Sequence, residues 1–204
     1  PASTYVYEPR VAIDPLTGNV IVAWANIVGG NCYTYLKRWN GSQWEELGGS
    51  ASGGGVSVNP STSGPFGLAV DSTGKPGVAW SAYSGGKYRV LFAEWNGNAW
   101  TGLGTSTSDG GLGQTTGHAK DPSLAYDPQE RPVIAWADDS AGNSEIYVRR
   151  FESAAWAELG GSATDGGVSR SAGTSQKPSI SVTSANLPVV AWEETVSGVT
   201  QVYV

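Results

Sequence analysis

Residues 122–159 read PSLAYDPQERPVIAWADDSAGNSEIYVRRFESAAWAEL, and they decide the fold. Pro122 to Asp127 is a short alternating run and Arg131 to Ala137 a second, separated by Pro, Gln and Glu, which predicts a hairpin. The stretch DDSAGNS (138–144) is a loop of turn formers. In the segment from Glu145 to Phe151, Ile146, Val148 and Arg150 alternate with Tyr147, Arg149 and Phe151, the period of a third strand. A short turn leads to AWAEL (155–159), a fourth strand. At the equivalent turn the first unit carries Asn40-Gly41, a pair that accepts positive φ at both centres of a tight hairpin.

Working outward, this stretch is one copy of a repeat. Trp24, Trp80, Trp136 and Trp192 fall 56 residues apart. Trp44, Trp100 and Trp156 keep the same interval, as do Leu47, Leu103 and Leu159, and Trp39, Trp95 and Phe151. The chain therefore holds roughly 3.6 units, with predicted boundaries 9–64, 65–121, 122–177 and an incomplete 178–204. Four antiparallel strands followed by a long Gly/Ser/Thr-rich crossover, as in 160–177, predict an all-β fold, a β-propeller of four-stranded blades. No stretch sustains a 3.6-residue apolar period, so almost no helix is expected. The tryptophans read as filling between stacked sheets. Pro76, Pro132 and Pro188 recur where each second strand begins, at positions that need not donate to the ladder. Asp14, Asp71 and Asp127 end first strands where an Asx turn forms, with Thr183 in the fourth unit. Val56, Leu112 and Val168 recur in the crossovers and are expected to pin them to the sheet.

Tyr203-Val204 align with Tyr147-Val148, so the last unit is expected to lack a fourth strand. The residues before Pro9 are too few to make one and then cross inward. Such an arc is a piece of a longer propeller, a smaller ring with a reduced blade, or one of several arcs that self-associate through open strand edges, and it reads first as part of, or a half-ring within, a seven- or eight-bladed assembly.

Composition narrows the partners. With 39% apolar residues and nine Trp the chain can fill a core. A net charge of −6, from 12 basic and 18 acidic residues, leaves no electrostatic footprint for nucleic acid or an anionic membrane. There is no run of 18 apolar residues to insert into a bilayer, and the chain starts at Pro1, reading as a mature product or a fragment. Cys32 has no partner cysteine and reads as a small packing residue. The low charged fraction and the Gly/Ser/Thr loops lean toward an extracellular or cell-surface location.

The succession W-x-x-L-G-G-S, G-G-x-S, P-S and D-x-x-x-x-P-V-x-A-W resembles tandem repeats of secreted bacterial kelch-like or sialidase-like propellers, over the whole chain. That resemblance implies a fold and not an activity. The sialidase-type Asp box is only partly echoed by Thr107-Ser108-Asp109-Gly110-Gly111, which lacks the closing aromatic and follows strand four. No sialidase catalytic residue carries over.

Propeller ligands sit where the loops after strands two and four converge. There the third unit offers Asp138, Asp139, Asn143 and Glu145, an oxygen-rich set suited in type to Ca²⁺, though its spacing matches no established calcium loop and a solvated turn is the competing reading. Tyr83 is the aromatic that breaks the pattern in the second unit's loop. The ligand-binding set is thus Tyr83, Asp138, Asp139 and Asn143, with no cofactor required. His118 is the only histidine, and no G-x-S-x-G, H-E-x-x-H or phosphate-cradling sequence accompanies it, so no catalytic residue is assigned. Asp138 or Asp139 with Glu193 or Glu194, one unit apart at matching loop positions, is a carboxylate pairing a glycoside hydrolase could use. Asn40-Gly41-Ser42 matches a glycosylation sequon but reads first as the hairpin turn. The expected function is a non-catalytic extracellular module whose loops bind a glycan or protein surface. The alternatives are a propeller-class glycoside hydrolase and a structural subunit joined through its open edges.

Overall fold

The computed structural model describes residues 5–57, 66–108, 110–112 and 116–204, and all its regular structure is β, with no helix among the described residues. The first sheet comprises β1 (Tyr5–Ile13), β2 (Val20–Val28), β3 (Asn31–Trp39) and β4 (Trp44–Glu45). The second comprises β5 (Phe66–Val70), β6 (Pro76–Ser84), β7 (Lys87–Trp95) and β8 (Trp100–Thr101). The third has β9 (Ala119–Tyr126), β10 (Pro132–Asp138), β11 (Glu145–Glu152) and β12 (Ala155–Glu158). The fourth is three-stranded, with β13 (Thr174–Val182), β14 (Pro188–Val196) and β15 (Val199–Tyr203). Every sheet is an antiparallel meander in chain order. These are the blades of a β-propeller arc.

The expected proline positions hold, since Pro76, Pro132 and Pro188 open β6, β10 and β14. The Asx turns hold as well. Asp14 accepts from the backbone N–H of Leu16 (2.8 Å), Asp71 from that of Thr73 (2.9 Å) and Asp127 from that of Gln129 (2.9 Å), each carboxylate buried. The first strands begin earlier than their prolines suggested, at Tyr5, Ala119 and Thr174, because each passes through a bulge at the proline rather than starting there.

Inner strands β1, β5, β9 and β13 pack side by side in that order. Alternation then gives each sheet two apolar faces, one toward each neighbouring blade. Ile21, Ala23, Ala25 and Leu36 of the first sheet meet Phe66, Val78 and Trp80 of the second. Ala79, Val90 and Phe92 of the second meet Leu124, Ile134, Trp136 and Tyr147 of the third. Val133, Ala135 and Val148 of the third meet Ile180, Val182 and Val190 of the fourth.

The fourth strands are short because a repeated serine takes over from them. Ser50, Ser106 and Ser162 each receive the N–H of the leucine three residues before (3.0, 2.9 and 2.8 Å) and donate to a third-strand carbonyl, that of Leu36, Phe92 or Val148 (2.7, 2.8 and 2.7 Å). The leucine carbonyl then accepts the indole N–H of the next blade's tryptophan, Trp100 to Leu47 at 2.8 Å and Trp156 to Leu103 at 2.9 Å. Farther along, the N–H groups of Val56, Leu112 and Val168 bond to the carbonyls of Thr34, Val90 and Ile146. Val56 and Leu112 are buried as expected of crossover anchors, whereas the Val168 side chain is exposed where the following sheet has three strands.

Candidate functional site

The site begins with a backbone irregularity. Glu8, Asp121 and Lys177 precede Pro9, Pro122 and Pro178, and each adopts positive φ (54°, 53° and 51°). Each pair of residues opposes one residue of the neighbouring strand, a β-bulge. Proline has no N–H for the ladder, which frees the backbone to bulge at that point. A left-handed non-glycine residue costs on the order of 1–3 kcal/mol, and such residues gather at sites where side chains must be re-aimed.

The bulges stand around a cavity of about 510 Å³ bounded by all four inner strands, lined by Glu8, Arg10, Phe66, Asp121, Ser123 and Lys177 among others. Arg10 donates to Glu8 at 2.8 Å while its guanidinium lies 5.7 Å from the centroid of the Phe66 ring. Lys177 pairs with Glu193 at 2.9 Å. Burial pushes the Asp121 carboxyl above the ordinary aspartate range, with Lys120 and Lys177 pulling the other way and Glu8 adding to the rise.

Asp121 also borders a smaller cavity of about 180 Å³, together with His118, Lys120, Asp139, Ser144, Thr174 and Gln176. Of the sequence-predicted residues Asp139 lines it, and Tyr83 is linked to that lining through ring contacts. Tyr83, 49% exposed, sits edge-on to Tyr88 with ring centroids 5.0 Å apart. Lys120 Nζ is 4.7 Å from the Tyr88 centroid, and the His118 ring is 5.8 Å from it. Asp139 accepts the backbone N–H of His118 at 2.7 Å, and His118 Nδ1 accepts that of Tyr88 at 3.3 Å. Tyr83 and Asp139 thus belong to one cluster, joined by Tyr88, His118 and Lys120.

Asp138 and Asn143 are placed differently. Asp138 is fully buried, one oxygen accepting the Ser140 N–H at 2.8 Å. Asn143 donates to Glu145 (2.8 Å) and to the carbonyls of Ser171 (3.0 Å) and Gly173, so it ties the crossover to the third blade. Glu145 accepts from Asn143, Ser169 and the Ser171 N–H. Asp139, Asn143 and Glu145 thus bond to the protein's own groups, whereas the second carboxylate oxygen of Asp138 is buried without a hydrogen-bond partner among the described residues. Among the described residues no group of three or more His, Cys, Asp or Glu is placed to hold a metal ion. The hydrolase pairing is engaged likewise, Glu193 with Lys177 and Glu194 with the Trp192 indole at 3.2 Å. Asp109, the acid of the partial Asp box, lies outside the described residues.

Sequence reasoning missed the channel residues Glu8, Arg10, Asp121 and Lys177. Their signal was present as the recurring X-Pro at 8–9, 121–122 and 177–178, read there as strand starts.

No protein-family model matches the sequence, and no curated protein matches it. Solved structures do resemble it in fold. An α-L-arabinanase of Penicillium chrysogenum in complex with arabinobiose aligns with a TM-score of 0.58 at 13% identity, over 93% of this chain and 57% of that one. The GH93 α-L-arabinofuranosidase of Fusarium graminearum with arabinobiose gives 0.58 at 12%, over 93% and 56%. An endo-arabinase of Bacteroides thetaiotaomicron gives 0.55 at 10%, over 96% and 72%. This chain spans little more than half the length of the two fungal enzymes. What the alignments establish is the fold, a β-propeller.

Proposed function

We propose that this chain is an extracellular glycan-binding module that holds an oligosaccharide across the channel mouth without cleaving it. The observation that carries this reading is the run of groups from Tyr83 through Tyr88, His118, Lys120 and Asp139 to Asp121 at the channel. An exposed aromatic ring beside charged hydrogen-bonding groups and an open cleft is a chemistry suited to sugars. The fold likeness adds that propellers of this architecture carry enzymes solved with arabinobiose. The channel has one carboxyl raised by burial, Asp121, while Glu8 is held by Arg10.

Calorimetric titration with a panel of neutral and acidic oligosaccharides, arabino-oligosaccharides included, tests it. Binding is expected, weakened at least tenfold by Tyr83→Ala or Lys120→Ala, with Tyr83→Ala changing stability by less than about 1 kcal/mol. Full affinity in both variants, or no binding across the panel, would remove the reading. A second reading, glycoside hydrolysis, is favoured by Asp121 as a proton donor with Glu8 nearby. Release of reducing ends that disappears in Asp121→Asn would establish that reading in place of the first.

A further inference from the structure

We propose that the chain associates head to tail with a second copy of itself, the open face of its fourth sheet docking on the open face of the partner's first sheet. Each internal junction joins one defined face of a blade to the opposite face of the next, and three such junctions are present. The forward face is Ile21, Ala23 and Ala25 in the first blade and Val133, Ala135 and Val148 in the third. Repeat and register place Val189, Ala191 and Val202 on that face of the fourth. The rear face is Val78 and Trp80 in the second blade and Leu124, Ile134 and Trp136 in the third. In the first it is Val11, Val22 and Trp24.

Inside the arc these positions are closed, and at its two ends Val11, Val189 and Val202 are open while Val22, Trp24 and Ala191 are half-buried. Val202 is 73% exposed, whereas Ile146, its counterpart 56 residues earlier, is 0% exposed. Val189 is 44% exposed against 0% for Val133, and Val11 is 67% exposed against 7% for Leu124. Trp44 is likewise exposed, while the equivalent Trp100 and Trp156 are covered in part and bonded to the preceding blade. The two open faces are therefore the two halves of a junction the molecule already makes, so a second copy carries a surface that complements each. This moves the self-association suggested by the sequence from unpaired strand edges to sheet faces. Because the two halves differ, the contact is heterologous, and its geometry sets whether copies close or continue.

The decisive experiment is light scattering on the intact chain and two face variants, Val11→Lys and Val202→Lys, each checked for an unchanged far-ultraviolet spectrum and melting curve. Both substitutions fall on exposed side chains, so folding is expected to survive. At roughly 100 µM, where micromolar interfaces are well populated, the wild type should show at least twice the 21.1 kDa chain mass. Each variant alone should be monomeric. An equimolar mixture of the two should recover a dimer, because the Val11→Lys copy keeps the fourth-sheet face and the Val202→Lys copy keeps the first-sheet face. A monomeric wild type overturns the proposal. So does a Val11→Lys variant that still associates while Val202→Lys does not, which would mean like faces pairing, and so does association that survives both substitutions.

Discussion

At the residue scale, the clearest constraint lies in the crossovers, where Gly55, Gly111 and Gly167 recur 56 residues apart. A Cβ on Gly167 would stand 2.0 Å from the carbonyl oxygen of Ile146, at φ +64°, so neither the space nor the backbone admits a side chain. Gly167→Ala is expected to cost about 3 kcal/mol or more. Gly85→Ala, at φ +59° with nothing within 4 Å, should cost only ~1–2 kcal/mol. Urea denaturation of the pair separates steric from conformational cost, and equal losses would refute the steric account. Asp121 makes a second residue-scale case. Its carboxyl is raised by burial, so its contribution to stability is present below the ordinary aspartate pKa and lost as pH rises through the raised value. Asp121→Asn should therefore raise the melting temperature at pH 7 and change it little at pH 3, the gain being small because solvent screens a partly exposed carboxylate, and helped by the tolerance of Asn for positive φ. A lower melting temperature at pH 7 would show that Lys120 and Lys177 outweigh burial.

At the element scale, the turn between first and second strands is held by a buried carboxylate in three blades. For Asp14, burial alone would raise the pKa, but the hydroxyl of Thr17, the N–H groups of Leu16 and Thr17, and Arg38 together bring it below the usual value of 3.8. A lowered carboxylate stabilises the fold above its unfolded pKa, and that stability is lost as pH falls through the lower folded value. Denaturant midpoints should thus decline below about pH 4, and Asp14→Asn should flatten the decline. An unchanged pH profile in Asp14→Asn would locate the acid sensitivity elsewhere. The fourth sheet has three strands where the others have four, and its forward face is open. Its amides in β14 and β15 should exchange faster than those of β10 and β11, because strands with fewer covered faces open at lower free energy.

At the scale of the whole molecule, the arc is built from one junction used three times. That repetition makes stability close to a sum of blade and interface contributions. The proposed oligosaccharide across the channel mouth would touch several blades at once, so its binding would stabilise the arc as a whole. Saturating oligosaccharide should raise the melting temperature in proportion to the logarithm of its concentration. Raising the concentration of the chain itself should do the same in the wild type but not in Val11→Lys, whose copies all lack one half of the junction.

The sequence by itself determined the blade. The 56-residue spacing of Trp24, Trp80, Trp136 and Trp192, the strand-opening Pro76, Pro132 and Pro188, and the Asx turns at Asp14, Asp71 and Asp127 depend on local backbone chemistry and a fixed period, both written in the order of residues. It also singled out Tyr83, because a residue that departs from a repeat stands out against it, and Asp139 as one of an oxygen-rich loop set. Only the tertiary structure brought those two together through Tyr88, His118 and Lys120, and only it turned Asp138 and Asn143 inward to hold the third blade. The channel charges Glu8, Asp121 and Lys177 are 113 and 56 residues apart, and each looks like an ordinary solvated residue before a proline. Their meeting depends on how steeply successive blades rotate about a common axis, and that rotation follows from how side chains pack between sheets, a property of pairs of distant faces that no local pattern records.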